Sequence, residues 1–350
     1  MTDTSTLPPP STGDDTSVPV LEVEDLHVEF RTDRGVVHAV NGISYAVRQH
    51  ETLAILGESG SGKSVSAQAV MGILDTPPGF VTQGAIRFRG EDMLAMPADV
   101  QRAIRGPGIA MVFQDALSSL NPVFTVGHQI AEMFRAHRGT SRRDAKMQAV
   151  ELMERVRIPA ARQRVNDYPH QFSGGMRQRV MIAMALSLDP QILIADEPTT
   201  ALDVTVQAQI MELLDELQQE TGMGLILITH DLGVVNEVAD RVVVMYAGKI
   251  VETGTIDEVF TTPAHPYTEG LMSSVPHAEA KGTRLHPITG QPPNLAAIPP
   301  GCSFHPRCAR ARFGNLAAPG RECANDVPAL REVLLGRTSA CHYSEELLDD

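Results

Sequence analysis

The sequence has no long apolar run and no basic segment at its N-terminus, and each absence excludes a class of protein. The longest apolar stretch, residues 180–188, is about half the length of roughly eighteen residues that a bilayer-spanning helix needs. Residues 1–19 hold Pro, Ser, Thr and Asp where a signal or transit peptide has basic and apolar blocks. We therefore expect a cytosolic chain whose first 19 residues form a disordered tail.

Positive charge and cysteine are also scarce. The chain has 29 Lys and Arg against 43 Asp and Glu, a formal net charge of −14, with no local basic concentration. We therefore expect no nucleic-acid partner, because binding to phosphates needs a basic face. The four cysteines all lie near the C-terminal end, at Cys302, Cys308, Cys323 and Cys341. In a reducing cytosol such a group is more often metal-binding than disulfide-bonded.

A glycine-rich stretch between a predicted strand and a predicted helix is the first motif that points to a ligand. Residues 57–64, Gly-Glu-Ser-Gly-Ser-Gly-Lys-Ser, follow an apolar run and precede a helix-like segment. Backbone N–H groups of such a loop point inward, and the next helix adds its positive end, so the loop binds polyphosphate. Lys63 is predicted to reach the β and γ phosphates, and the Ser64 hydroxyl to bind Mg²⁺. Further contacts to the nucleoside triphosphate are predicted from Gly57, Ser59, Gly60, Ser61 and Gly62.

Polar side chains follow three other predicted strands. Gln114, the pair Asp196 and Glu197, and His230 each come directly after a short apolar run. Because ligands gather at the carboxyl ends of strands in open α/β sheets, we expect these side chains to meet at one sheet edge. Asp196 is predicted to hold Mg²⁺, with Gln114 as a further candidate ligand, and Glu197 to face the γ phosphate and the attacking water. Taken singly, the glutamine or the histidine at a strand end would have an ordinary structural explanation.

Two other positions have both a ligand interpretation and a structural one. Phe30 stands between two runs that alternate apolar and polar residues and predict an antiparallel sheet, so it could stack on adenine or be an ordinary sheet aromatic. Ser173, with Gly174 and Gly175, begins a predicted helix. It could bind an anion at the helix N-terminus or serve only as the N-cap.

These stretches, in this order, resemble the ATP-binding subunit of ABC transporters over residues 20–260. The resemblance identifies the Walker A loop at 57–64, the Q-loop at Gln114, the signature at Ser173, Gly174 and Gly175, the Walker B end at Asp196 and Glu197, the D-loop at 201–203 and the switch histidine at His230. Phe172 and Met176 flank the signature where Leu and Gln are commoner. The resemblance implies that Asp203 belongs to the nucleotide site, that His230 holds the γ phosphate and that Gln114 senses it. It also implies that each ATP lies between the phosphate loop of one ATPase domain and the signature helix of another.

A narrower resemblance, to the oligopeptide and dipeptide importers, covers residues 168–180, residues 265–268 and residues 301–308. It implies an ATPase that powers import of peptides, with nickel or another small solute as the alternative cargo. The implied partners are a second ABC ATPase subunit, two transmembrane permease subunits and an extracytoplasmic solute-binding protein. The implied location is the cytoplasmic face of the cell membrane, where the chain is peripheral.

The expected fold is that of an α/β, ABC-type P-loop ATPase at residues 20–260. We expect a mixed central sheet, an antiparallel β subdomain and a helical subdomain at about 97–188, followed by a small cysteine-containing extension at 261–350. Beyond Pro276 the chain is proline-rich and is predicted to be loop-like, with little to pack. A non-transport ABC ATPase acting on DNA or ribosomes would show a coiled-coil insertion, a second ATPase or a basic surface. A binding module without turnover would lack Glu197 or His230, and neither pattern is present.

The cysteines leave three alternatives open. Four thiols suit a tetrahedral zinc ion or a [4Fe–4S] cluster, and structural thiols without metal are the third choice. No pair has the two-residue spacing of zinc ribbons, and the spacings of 5, 14 and 17 intervening residues favour a cluster. Some members of the importer subfamily carry such a cluster here, which points the same way.

Overall fold

The structure is a computed structural model that describes residues 18–115, 119–200, 202–274, 288–310 and 321–349. The predicted N-terminal tail lies outside the described residues, except for its last two. In the described ranges no helix combines the length and apolar character needed to cross a bilayer.

The strands of an antiparallel sheet come before and after the phosphate loop in the sequence. Its strands in the described chain are β1 (Leu21–Thr32), β2 (Gly35–Val47), β4 (Gly79–Phe88) and β5 (Glu91–Asp92). They lie in the order β2-β1-β4-β5, and every neighbouring pair is antiparallel. Alternation of buried and exposed residues along β1 gives one face to the core and one to solvent. The predicted antiparallel subdomain is confirmed.

A larger sheet carries the strands whose ends were predicted to form the site. Within the described residues its strands are β3 (Thr52–Leu56), β6 (Ile109–Val112), β7 (Ile192–Asp196), β8 (Gly224–Ile228), β9 (Arg241–Tyr246), β10 (Lys249–Thr255), β11 (Arg331–Leu334) and β12 (Arg337–Ser339). Their order is β11-β12-β10-β9-β3-β8-β7-β6. Strands β9, β3, β8, β7 and β6 run parallel, so their carboxyl ends meet at one edge.

The helices of the described chain pack on both sides of this sheet. They are α1 (Lys63–Met71), α2 (Ala98–Ile104), α3 (Val126–Arg138), α4 (Arg142–Arg155), α5 (Ala161–Arg164), α6 (Gly174–Leu186), α7 (Val204–Thr221), α8 (Leu232–Val238), α9 (Ile256–Thr261), α10 (Pro266–Ser273), α11 (Arg321–Asn325) and α12 (Ser344–Leu348). Helices α2 to α6 occupy the predicted helical region, although β6 within it belongs to the large sheet. Thr125, Ser141 and Ser173 cap α3, α4 and α6 through side-chain oxygens that accept backbone N–H groups.

Two apolar cores meet at the central strands. Leu53 and Ile55 of β3 face the core shared with the antiparallel sheet and α1. Ala54 and Leu56 face the core shared with the helical region and α7. Burial on both faces holds β3 rigidly, which fixes the point at which the phosphate loop leaves the sheet.

Strands β11 and β12 show that the prediction of a loop-like chain beyond Pro276 was wrong at residues 331–339. Strand β12 pairs with β10, placing Ser339 opposite Glu252. Arg337 Nη2 donates to Glu252 Oε1 at 2.8 Å, and the two side chains are 1% and 0% exposed. The edge of β10 has backbone N–H and C=O groups that a later strand can pair with. The ion pair between Arg337 and Glu252 favours β12 as that strand.

Candidate functional site

The phosphate loop connects β3 to α1 and depends on its glycines. Gly57 has a φ of 150° and Gly62 a φ of 103°. A Cβ on Gly57 would lie 2.2 Å from the carbonyl oxygen of Met245, and one on Gly62 would lie 2.4 Å from that of Ala39. Glycine is therefore required at both positions for the loop to pass this close to neighbouring backbone.

Lys63, the first residue of α1, is buried within the loop. Its Nζ donates to the carbonyl oxygens of Gly57 at 2.8 Å and Glu58 at 3.0 Å. Burial lowers the pKa of Lys63, and the carboxylates of Glu197, Asp196 and Glu58 act in the opposite direction. These contacts hold the ammonium at the mouth of the loop, where a phosphate can replace the carbonyl oxygens.

A hydroxyl and a carboxylate meet beside the loop. Ser64 Oγ donates to Asp196 Oδ1 at 3.0 Å, joining α1 to the end of β7. Burial raises the pKa of Asp196, and the Ser64 hydrogen bond opposes this shift. Oxygen donors of this kind suit Mg²⁺. The Ser61 hydroxyl is buried and has no hydrogen-bond partner within the described chain, which leaves it available to a bound phosphate.

Three side chains from different elements converge on the carboxylate of Glu197. Gln114 Nε2 donates to Glu197 Oε2 at 2.7 Å, and Thr200 Oγ1 donates to the same oxygen at 2.9 Å. His230 Nδ1 lies 3.5 Å from Glu197 Oε1. Glu197 has a φ of 45°, a left-handed conformation that side chains rarely adopt and that concentrates at functional sites. Sequence reasoning missed Thr200, although a hydroxyl three residues after the acidic pair was a signal.

A cavity of about 430 Å³ lies beside the phosphate loop, and Asp196, Gly57 and Ser61 are not among its lining residues. Among its lining residues are Lys63, Ser64, Gln114, Glu197 and His230, which come from the carboxyl ends of four neighbouring strands. The predicted convergence on one sheet edge is therefore observed. An ammonium, hydroxyl and loop amides on one side face a carboxylate and imidazole on the other, an arrangement that suits a polyphosphate and a water molecule.

Other predicted site residues lie away from this cavity. Phe30 is half-buried on β1, packed against the core of the antiparallel sheet. Ser173 caps α6, which begins with Gly174 and Gly175. None of these four is among the described residues that line the cavity. Their contacts to nucleotide stay predictions.

The predicted D-loop is described only in part. Ala201 lies outside the described residues. Asp203 is exposed and caps α7, because its Oδ1 accepts the Val206 N–H at 3.1 Å. Its predicted place in a nucleotide site also stays a prediction.

The four cysteines line one narrow cavity. Burial raises the pKa of the Cys302 thiol to about 11 and that of Cys341 to about 12, with smaller contributions from the neighbouring thiols. In the described parts of the chain, no three His, Cys, Asp or Glu side chains form a group that could hold a metal ion. The predicted gathering of the cysteines is observed, but a metal-ion site is not.

Two families match the sequence. Residues 40–200 match the family ABC transporter. Residues 251–313 match the family Oligopeptide/dipeptide transporter, C-terminal region.

Proteins of Brucella are similar along nearly the whole chain. One from Brucella abortus (strain 2308) is 50% identical over 325 residues, which cover 93% of this chain and 95% of the relative. A second from the same strain is 52% identical over 340 residues, covering 94% and 98%. Both carry the name peptide import ATP-binding protein.

Solved structures of ATP-binding cassettes have a similar fold. One is the dimeric structure of a post-hydrolysis state of the cassette MJ0796 bound to ADP and Pi, with a TM-score of 0.60 and 27% identity. The matched region covers 67% of the present chain and 98% of the MJ0796 chain. Another is cbiO1 from Clostridium perfringens, part of the ABC transporter complex cbiONQ, with a TM-score of 0.58 and 32% identity. It covers 69% of this chain and 90% of that one.

Proposed function

This chain belongs to the ATP-binding subunits of ABC transporters that import peptides, and we propose that it binds and hydrolyses ATP in the cavity beside the phosphate loop. It is an ATPase whose reaction powers peptide import. The observation that carries the proposed site is the convergence of Lys63, Gln114, Glu197 and His230 on one cavity at the ends of parallel strands.

The proposed binding step uses the loop and Lys63. Phosphoryl transfer needs positioning and charge neutralisation more than covalent chemistry. Lys63 Nζ exchanges the carbonyl oxygens of Gly57 and Glu58 for the β and γ phosphates, and the Ser61 hydroxyl finds a partner there. Ser64 and Asp196, already joined by a hydrogen bond, are the residues that would hold Mg²⁺, and the ion would supply further positive charge beside the phosphates.

The proposed hydrolytic step uses Glu197. Its carboxylate polarises a water molecule and takes the proton that the water loses as the water oxygen attacks the γ phosphorus. The bond from the γ phosphorus to the β–γ bridging oxygen breaks, and ADP leaves with that oxygen. Gln114 and His230 contact this carboxylate from two other strands, so both can respond to the presence of the γ phosphate. The shared contacts couple nucleotide state to the position of two loops.

A second ATPase subunit is proposed to complete the site. Ser173, Gly174 and Asp203 are exposed and lie outside this chain's own cavity, as groups that serve a partner's ATP would. The solved MJ0796 cassette, a dimer bound to ADP and Pi, supports this arrangement. Gly175 is the second residue of the same helix. Phe30 is proposed to lie against the adenine.

The membrane partners are proposed to dock beside the Q-loop, at the cytoplasmic face of the membrane. A groove of about 340 Å³ is lined by Met71, Met133, Met181 and Phe113, which precedes Gln114. We assign it to a cytoplasmic helix of one of two permease subunits, which receive peptide from an extracytoplasmic binding protein. Met133→Glu should stop co-purification with the permeases and leave ATP binding unchanged. Unchanged co-purification would exclude this groove.

The C-terminal region at 261–350 is proposed to be an extension of the ATPase domain at 20–260, with a [4Fe–4S] cluster on its cysteines. All four thiols line one cavity, which supports a shared ligand. No three possible ligands within the described residues form a group that could hold a metal ion, so the proposal rests on the shared cavity and on the spacing of the cysteines. Anaerobic purification with iron, sulfide and zinc analysis decides between the two. Stoichiometric zinc without iron, or no metal at all, would show that the cluster is wrong.

Reconstitution tests the function as a whole. The chain, its second ATPase and the permeases are placed in proteoliposomes with the binding protein, and ATP hydrolysis is measured together with uptake of labelled peptide. Both should depend on ATP and rise when peptide is supplied. ATP hydrolysis without any ATP-dependent peptide uptake would contradict peptide import.

A further inference from the structure

We propose that Arg307, in the C-terminal region, is a positioning residue that holds the phosphate loop in its ATP-binding conformation through Glu58. The inference rests on the proposed binding of ATP at this loop. It concerns a contact between segments 249 residues apart that the hydrolytic mechanism does not use.

Arg307 makes a bidentate ion pair with the second residue of the phosphate loop. Its Nη1 lies 2.5 Å from Glu58 Oε2 and its Nη2 lies 2.9 Å from Glu58 Oε1. The Arg307 side chain is only 5% exposed, whereas that of Glu58 is 25% exposed. The same guanidinium donates to the carbonyl oxygens of Thr289 and Gly290 and to the Tyr246 hydroxyl. Because the guanidinium is held by these contacts and bonds both carboxylate oxygens, it fixes the orientation of the Glu58 carboxylate as well as its distance.

Glu58 in turn contacts the group that binds phosphate. Its carbonyl oxygen accepts from Lys63 Nζ at 3.0 Å, and its N–H donates to the Tyr267 hydroxyl at 2.8 Å. A shift of Glu58 therefore moves both the loop backbone and the lysine.

The segment that carries Arg307 is itself anchored near the loop. Phe304 packs against Tyr246 and Tyr267, with ring centroids 5.2 Å and 5.3 Å apart. The Arg307 N–H donates to the Phe304 carbonyl oxygen at 2.9 Å, so both side chains leave one tight turn. Tyr267 thus holds the loop from the same aromatic cluster that anchors Arg307.

A buried ion pair adds little stability compared with apolar packing, but removal of one partner leaves the other charge unpaired. Without Arg307, Glu58 turns toward water, and the loop and Lys63 lose their fixed position. ATP must then reorder the loop when it binds. We expect an affinity loss of about tenfold, within the range by which one site commonly affects another.

The experiment measures the Kd for MgATP of the full chain by equilibrium binding. Arg307→Gln and Glu58→Gln should each raise this Kd about tenfold, and the double variant should raise it by no more than either single change, because both remove the same contact. Arg310→Gln is the matched control, since Arg310 is an arginine of the same region whose guanidinium pairs with Glu269. It should bind ATP as the unchanged chain does.

Each other outcome is decisive. The inference would be overturned, with the proposed function left intact, by any of three results. These are an unchanged ATP affinity in Arg307→Gln, an equal loss of affinity in Arg310→Gln, and fully multiplicative effects on the Kd in the double variant. Failure of the unchanged chain to bind ATP would overturn the proposed function itself. If Arg307→Gln does not fold, Glu58→Gln and Arg307→Lys decide, because the lysine keeps the charge but not the fork and should give a smaller loss than Glu58→Gln. Unchanged affinity in both would refute the role.

Discussion

Replacing Glu197 with glutamine should stop ATP turnover while ATP binding remains. In the structure both Gln114 Nε2 and Thr200 Oγ1 donate to one carboxylate oxygen, Oε2. An amide oxygen placed there can still accept both hydrogen bonds. The amide NH₂ then faces His230 Nδ1, which lies 3.5 Å from Oε1 and accepts a hydrogen bond in the neutral tautomer that carries its proton on Nε2. Glu197→Gln therefore keeps the network and removes only the base.

The expected loss of ATP turnover follows because the substitution removes the general base and keeps the hydrogen bonds. Removal of a general base typically lowers the rate by about 10²–10⁴. This equals about 3–6 kcal/mol of activation free energy, at roughly 1.4 kcal/mol for each tenfold change. ATP affinity should be equal or higher, because the substitution removes a negative charge near the triphosphate.

The assay is phosphate release by the transporter assembled in proteoliposomes, with ATP binding measured in parallel. If the second ATPase is a different chain, the matching change is made there, so that its site does not supply the remaining turnover. Glu212→Gln is the control, since Glu212 is exposed on α7 and pairs only with Arg157 in the described contacts. Turnover close to that of the unchanged transporter would refute the assignment of Glu197, and an equal loss of ATP binding would show a structural effect.

Three further predictions follow from the structure. Lys63→Ala should weaken ATP binding itself, because a charge-assisted contact is lost before the transition state, and unchanged affinity in equilibrium binding would remove that role. The isolated chain should hydrolyse ATP slowly and gain activity with its membrane subunits and second ATPase, whereas full turnover by a strict monomer would contradict a shared site. Burial lowers the pKa of His265 to about 3, so the unfolded chain binds a proton that the folded chain does not, and stability falls as the pH drops from about 6.5 towards 3. In denaturant unfolding, the free energy of unfolding should fall by about 1 kcal/mol between pH 7 and 5.5. The fall should be smaller in His265→Asn, because asparagine keeps the N-cap of α10. An equal fall in both proteins would exclude His265 as the cause.

Much of the site could be predicted because its chemistry is local in sequence. The phosphate loop needs glycine, lysine and serine at neighbouring positions, and Gln114, Glu197 and His230 each lie within two residues of the end of a buried strand. A short apolar run followed by a polar residue marks the end of a strand, and parallel strands bring such ends together. The antiparallel strands were predicted equally well, since burial of one face leaves alternation in the sequence.

Contacts between distant segments could not be predicted in this way. The pairing of β12 with β10 and the ion pair between Arg307 and Glu58 depend on which segments the folded chain brings together.

The sequence by itself determined the phosphate loop, the polar strand ends and the fold that unites them, because backbone conformation and burial impose patterns on neighbouring residues. Only the tertiary structure decided that the C-terminal region packs against the phosphate loop. An arginine and a glutamate 249 residues apart carry no shared local pattern, and their pairing is set by packing of the aromatic cluster between them.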